Sequence, residues 1–193
     1  MRDPLLDALD AAASALGQVL RGVTAEQWSA PTPCDGWTVR DLVGHVVAGN
    51  RQVVAALRGA PAALAGTDAP DPVDAYESSA GDLAGAFGTP GALAALVTVP
   101  FGTVPGRVAA HLRITELLVH GWDLARATGH AMPVPEEFVL PELEFTRQSL
   151  PTIPAGRSPF KPSRPAPTGA SPLDRLAALL GRPVGEEVRV AGV

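Results

Sequence analysis

The chain has 193 residues and carries three side chains whose types and spacing suit a divalent metal. Glu116 and His120 stand four residues apart in the segment with the clearest helical periodicity, which puts them one turn apart on a single face. A carboxylate and an imidazole in that relation can ligate one cation from one helix, as two imidazoles do in metalloprotease helices. His45 is the third candidate. It falls among Leu42, Val43, Val46 and Val47, a stretch that reads as buried, where an imidazole needs a hydrogen-bond partner or a metal. Three donors from two facing helices would leave positions open for water or substrate. Spacing alone leaves other readings open: Glu-x3-His pairs arise by chance, and a core histidine is commonly satisfied by a carbonyl or carboxylate, or reaches water at a bundle's edge.

Two more charged groups fall near this face. Asp123, three residues after His120 and seven after Glu116, either orients an imidazole from behind or sits exposed and pairs with Arg126. Arg113, three residues before Glu116, is read as neutralising Glu116 or facing solvent, with a bidentate clamp on a substrate carboxylate as the sharper alternative. His111 is five residues from Glu116 and so rotated off the Glu–His face, and His130 follows a helix stop; neither joins the ligand set. Cys34, between Pro33 and the turn at Asp35-Gly36, is expected to be a small buried packing residue rather than a reactive thiol. Trp37 and Trp122 are expected to pack the core and to shape any cavity beside the ligands.

The elements that must hold these groups are mostly helical. Apolar residues from Leu5 to Leu20 recur at helical spacing behind an Asp3-Pro4 start. Thr38 and Asp41 form a capping-box pattern that opens a second helix, running to about Arg58 and carrying His45. A third, weaker helix is expected over Val73 to Phe87, after breaks at Gly59, Pro61 and GTDAPDP. Residues 88–106, mixing an apolar run with Pro and Gly, read as a covering loop containing a short helix, an extended piece, or both. The helix bearing Glu116 and His120 is expected from about Arg107 to Thr128, stopped by Gly129, and another from Pro135 to about Leu150. Six prolines between Pro151 and Pro167 rule out a regular element there, and SPLDRLAALLGR then forms a short amphipathic helix capped by Ser171. The division expected is a helical bundle over 1–150 and a Pro-rich arm with a short docked helix over 151–193.

Composition agrees and removes other functions. Hydrophobic residues are 46% but aromatics only 5%, so the core is Ala, Leu and Val, which favours close-packed helices over a β-sandwich. A net charge of −5 and a lone lysine, Lys161, give no footprint for nucleic acid. One cysteine excludes an internal disulfide framework and any Cys-rich zinc knuckle. Acidic residues interrupt MRDPLLDALDAAASAL, and no run approaches the roughly 18 apolar residues of a membrane span, so a cytoplasmic protein without membrane partners is expected.

PTPCDGWTVRDLVGHV, residues 31–46, and ITELLVHGWDLARATG, residues 114–129, resemble the two signature segments of the actinobacterial DinB/YfiT-like metal-binding proteins. Within that superfamily they are most similar to the N-terminal domain of mycothiol-dependent maleylpyruvate isomerases. SPFKPSRPAPTGASPLDRLAALLGR, residues 158–182, resembles the C-terminal segment of a small metal-binding subfamily. The resemblance implies an all-α, four-helix bundle that binds a divalent metal, zinc first and nickel as the alternative, through His45, Glu116 and His120. It also implies mycothiol as a thiol cofactor whose sulfur the metal activates for S-transfer or cis–trans isomerisation of an electrophilic small molecule, with homodimers as a further expectation. A non-catalytic metal-binding bundle that serves ligand or partner binding is the competing reading. The isomerases carry a further C-terminal domain where this chain has its Pro-rich arm, so no substrate group is carried over from that domain.

Overall fold

The computed structural model describes residues 2–60, 71–99, 102–153 and 160–185. Helix α1 (Pro4–Arg21) starts where the Asp3 carboxylate accepts from the Leu5 N–H and Pro4 fills the first turn. The capping box is present at the head of α2 (Val39–Leu57), with Thr38 and Asp41 each accepting from the other's backbone N–H. Asp71 caps α3 (Pro72–Gly88), and α4 (Gly106–Thr128) ends at Gly129, in the left-handed conformation at φ 74°. Helix α5 (Glu136–Ser149) follows, and α6 (Pro172–Leu179) is capped by Ser171. The GTDAPDP break falls largely outside the described residues, as do Pro154 and Pro159 of the arm.

Helices α1 to α4 form the bundle: α1 packs on α3 and α4, and α2 packs on the same two from the other side. Among the described residues the fold is all-α except between α3 and α4. There the covering loop resolves into an antiparallel hairpin, β1 (Leu96–Val99) and β2 (Gly102–Pro105), with Val97 paired to Val104 and wholly buried. β1 rests on α2 and α4. Alternation explains the extended choice: Val97 points into the core while Leu96 and Thr98 are exposed.

Helix α4 is the structural centre. It touches α1 and α2 within the bundle, and α5 and α6 cover another side, so nearly every residue from Arg113 to Ala125 is buried or half-buried. A helix enclosed this way has no polar stripe facing water, and the polar groups it carries must find partners inside the protein. Those groups are Arg113, Thr115, His120, Asp123 and Thr128. Leu176 and Leu180 seat α6 on this surface, both wholly buried, and each contributes about 2 kcal/mol of apolar burial. No helix among the described residues is long and apolar enough to cross a membrane.

Candidate metal centre

The loop between α1 and α2 brings the first wall of the site into place. Thr32 N–H donates to the Trp37 carbonyl and Trp37 N–H to the Cys34 carbonyl, closing a tight turn in which Gly36 takes φ 76°. The turn sets the Trp37 ring 4.8 Å from the His45 ring, and His45 in turn lies 5.0 Å from His120, edge to face. The Trp37 ring thus lies against a candidate ligand histidine as well as packing on the core.

Helices α2 and α4 bring His45, Glu116 and His120 together. Glu116 Oε2 lies 3.4 Å from His45 Nε2 and 3.3 Å from His120 Nε2, and the candidate ligand atoms all fall within 4.8 Å of one another. Metal–nitrogen and metal–oxygen bonds of about 2.0–2.1 Å in a tetrahedron give ligand–ligand edges of about 3.3 Å. The two separations match that edge, and both are long for hydrogen bonds. Two imidazoles and one carboxylate with room beside them fit a borderline cation such as zinc or nickel. His45 is more exposed than its apolar neighbours suggest, at 42% of its side chain, while His120 shows 6%. Leu42, Val43, Val46 and Val47 all turn inward and leave His45 at the outer edge of their face.

Burial pushes the Glu116 carboxyl up, but its bonds to His120 and His45 and the attraction of His120 and Arg113 outweigh this and hold it well below the usual carboxylate range. Burial pushes the His120 imidazole down, yet its bonds to Asp123, Cys34 and Glu116 carry it well above the ordinary histidine value. Without a metal, both shifts favour the charged form of the pair, carboxylate against imidazolium.

Asp123 is wholly buried behind His120, which removes the exposed Arg126-paired alternative. Its Oδ2 lies 3.2 Å from His120 Nδ1, so the imidazole's far nitrogen is held while Nε2 faces Glu116. The Cys34 thiol donates to the same Oδ2 at 3.2 Å and lies 4.0 Å from His120 Nδ1. Cys34 is therefore half-buried against the site, not a plain packing residue. Cys34, His120 and Asp123 are themselves close enough to ligate an ion. Their acceptors are already engaged, because Arg182 donates to both oxygens of Asp123, at 3.2 and 2.8 Å, and its charge repels a cation there.

Arg113 does not face solvent: it is 5% exposed, its charge helps hold the Glu116 carboxyl down, and among the described residues its Nε and Nη2 have no hydrogen-bond partner. It fits only because residue 49 is glycine, where a Cβ would stand 2.2 Å from Nη1. His111 is off the site as its spacing implies, 2.8 Å from Glu142 and stacked on Phe145. His130 is exposed, and Trp122 packs in the core with its Nε1 donating to Asp174 Oδ1 at 2.8 Å.

Above the three ligands opens a cavity of about 410 Å³, within the size range of small-molecule sites. The 33–37 loop forms one wall; Phe160, Lys161, Arg164 and Arg182 of the C-terminal arm form the other. Arg182 is the residue that sequence spacing missed. It lies 59 positions from Asp123, and only its place just after a glycine-stopped helix marked it.

The model of the mycothiol maleylpyruvate isomerase N-terminal domain matches residues 9–125, a span that holds every candidate ligand and stops short of the arm. Two uncharacterized proteins, from two strains of Mycobacterium tuberculosis, are each 39% identical over 184 residues, covering 94% of this chain and 99% of the relative. Among solved structures, the chain is similar to mycothiol-dependent maleylpyruvate isomerase, with TM-score 0.58 and 21% identity. It is also similar to a histidine-to-alanine mutant of a mycothiol-dependent maleylpyruvate isomerase, with TM-score 0.60 and 19% identity. Each likeness covers 76% of this chain and 71% of the other, and at these identities it shows the fold.

Proposed function

Because the chain belongs to the mycothiol maleylpyruvate isomerase N-terminal domain family, we propose that it is a mycothiol-dependent, isomerase-like enzyme whose metal is held by His45, Glu116 and His120. The observation that carries this reading is the convergence of those three donors, within 4.8 Å of one another and with Glu116 3.3–3.4 Å from each imidazole, in the lining of one cavity. A bound zinc or nickel ion would supply Lewis acidity that lowers the pKa of a cofactor thiol to near neutrality.

The protein's own residues do the rest. Glu116 stays ionised and so offers a ligand at any ordinary pH. Asp123 accepts from His120 Nδ1–H and leaves the Nε2 lone pair toward the ligand cluster. Trp37 and Phe160 line the cavity and limit the water reaching a thiolate there. A cofactor thiolate held there would serve as the nucleophile toward an electrophilic, conjugated small substrate. Reversible addition and expulsion of the thiolate with bond rotation between them would give cis–trans isomerisation, and addition followed by protonation of the resulting carbanion would leave the thiol on the substrate. The working unit is the 1–150 bundle together with the 151–193 arm, which supplies the second wall of the cavity.

The test is metal analysis of the purified chain, followed by titration of a cobalt-substituted sample with mycothiol. Metal uptake near one ion per chain and a thiol-induced change in the cobalt spectrum support the reading. Metal without any spectral response to thiol would leave the non-catalytic metal-binding bundle as the better description.

A further inference from the structure

The arm reaches the site through a definite piece of backbone. After α6, Gly181 takes φ 87° and its N–H donates to the Ala178 carbonyl, while Arg182 N–H donates to the Ala177 carbonyl at 3.0 Å. This pair of bonds is a Schellman stop, and the left-handed glycine turns the chain back toward α4. A side chain at 181 is also excluded by packing, since a Cβ would lie 2.5 Å from Lys161 Cβ and 2.9 Å from its carbonyl oxygen. Arg164 N–H closes the loop on the Ala178 carbonyl at 2.8 Å, and Lys161 forms an ion pair with Asp35 across the cavity. The result is that Arg182, 9% exposed, lands its planar fork on both oxygens of Asp123, with Nη2 also 3.5 Å from Cys34 Sγ.

We infer that Arg182 is a positioning residue that couples docking of the C-terminal arm to the metal-binding geometry of His120, through Asp123. The inference rests on the metal reading of His45, Glu116 and His120. Asp123 is 0% exposed, and among the described residues its hydrogen-bond partners are the His120 imidazole, the Cys34 thiol and Arg182, of which Arg182 is the permanent cation. A buried carboxylate that loses its guanidinium either draws in water or pulls harder on its remaining partners, here His120 and the Cys34 thiol. Either response moves the His120 ring, whose Nε2 must stay within 3.3 Å of Glu116 for the ligand set to hold. Coupling of this kind is reciprocal: if the docked arm favours the metal, the metal favours the docked arm by the same factor. This gives the arm a role beyond that of a wall. It ties completion of the cavity to completion of the metal site, so an open arm and a loaded metal oppose one another.

The experiment uses the full chain, wild type against Arg182→Gln and Arg182→Lys, with helicity checked by circular dichroism. Metal affinity is read by chelator competition and ligand geometry by the cobalt spectrum. Protection of the α6 amides is read by hydrogen exchange with and without zinc. Expected for Arg182→Gln is a roughly ten- to hundredfold loss of affinity, the range found for orienting partners of metal ligands, together with a shifted cobalt spectrum. Lysine, which keeps the charge and loses the fork, should recover part of the affinity. Zinc should raise α6 protection in the wild type and raise it less in Arg182→Gln. If Arg182→Gln loses helicity, Arg182→Lys carries the same comparison. A folded variant with wild-type affinity, an unchanged spectrum and zinc-indifferent α6 protection overturns the coupling while leaving the metal reading intact. A wild-type chain that takes up no ion overturns both.

Discussion

Replacing His45 with alanine separates metal ligation from structural support more cleanly than replacing His120. His45 is 42% exposed at its side chain and its bond to Glu116 is long, at 3.4 Å, so without metal its removal resembles a surface substitution, worth within about 0.5 kcal/mol. For a domain of this size about 1 kcal/mol moves Tm by roughly 2–4 °C, so the metal-free Tm should fall by no more than about 2 °C. The metal-dependent part should change far more. A wild type held at a hundred times its Kd gains about 2.7 kcal/mol from the ion, hence a rise of roughly 5–11 °C. Loss of one of three ligands should weaken binding at least as much as loss of an orienting partner, about hundredfold. At the same free metal the variant then sits near its own Kd, where the gain is RT ln 2, about 0.4 kcal/mol and under about 2 °C. Differential scanning fluorimetry of both proteins, with chelator and with buffered zinc, measures the two shifts. An undiminished zinc-induced rise in His45→Ala would refute the assignment of His45 as a ligand.

Cys34→Ala should keep metal affinity within a few-fold, because Sγ contacts the Asp123 side of His120 and not the ligand cluster; a loss beyond tenfold in chelator competition would make the thiol a ligand. Metal uptake should release protons and strengthen with pH, since His120 sits protonated well above its ordinary value and must become neutral to ligate. Calorimetry in buffers of different ionisation enthalpy reads this directly, and pH-independent binding from about 6 to 8 would contradict it. Glu142→Gln should flatten one limb of the stability–pH curve. Burial raises the Glu142 carboxyl above its ordinary value against the opposing pull of His111, and its Oε2 has no partner among the described residues. The protonated form is thus favoured by folding, and this contribution is full below the unfolded pKa and lost as pH rises through the higher folded value. The Tm of Glu142→Gln relative to wild type should therefore grow more positive between about pH 4 and pH 7, and a difference that shrinks over that window would reverse the assignment.

Much of the fold was legible because its signals are local. The Asp3, Thr38 and Ser171 caps, the Gly129 stop and the apolar spacing of α1 and α4 each act within one or two turns. The hairpin at 96–105 was harder, since a four-residue apolar run serves a buried strand or a helix equally well. The Glu116 and His120 pair was legible for the same reason as the caps, being an i, i+4 relation on one helix. His45 was legible as a donor, but sequence left open whether it was buried or reached water at the bundle's edge, because its hydrophobic neighbours share an inward face from which residue 45 is rotated.

What the sequence withheld is the interior of α4. A helix that faces the bundle on one side and α5 and α6 on another shows no polar stripe, so periodicity could not tell an exposed Asp123 from a buried one, or a solvated Arg113 from an enclosed one. Both answers come from residues far away in the chain: Gly49 makes room for one guanidinium, and Arg182 brings another to Asp123. The same enclosure explains why the site can work. Polar side chains on α4 have no water to satisfy them and must be held by named partners, so the carboxylate behind His120 is fixed in place before any ion arrives. On the metal reading, the exposed His45 would complete the ligand set from the cavity side, while the buried face of α4 holds Glu116 and His120 one turn apart.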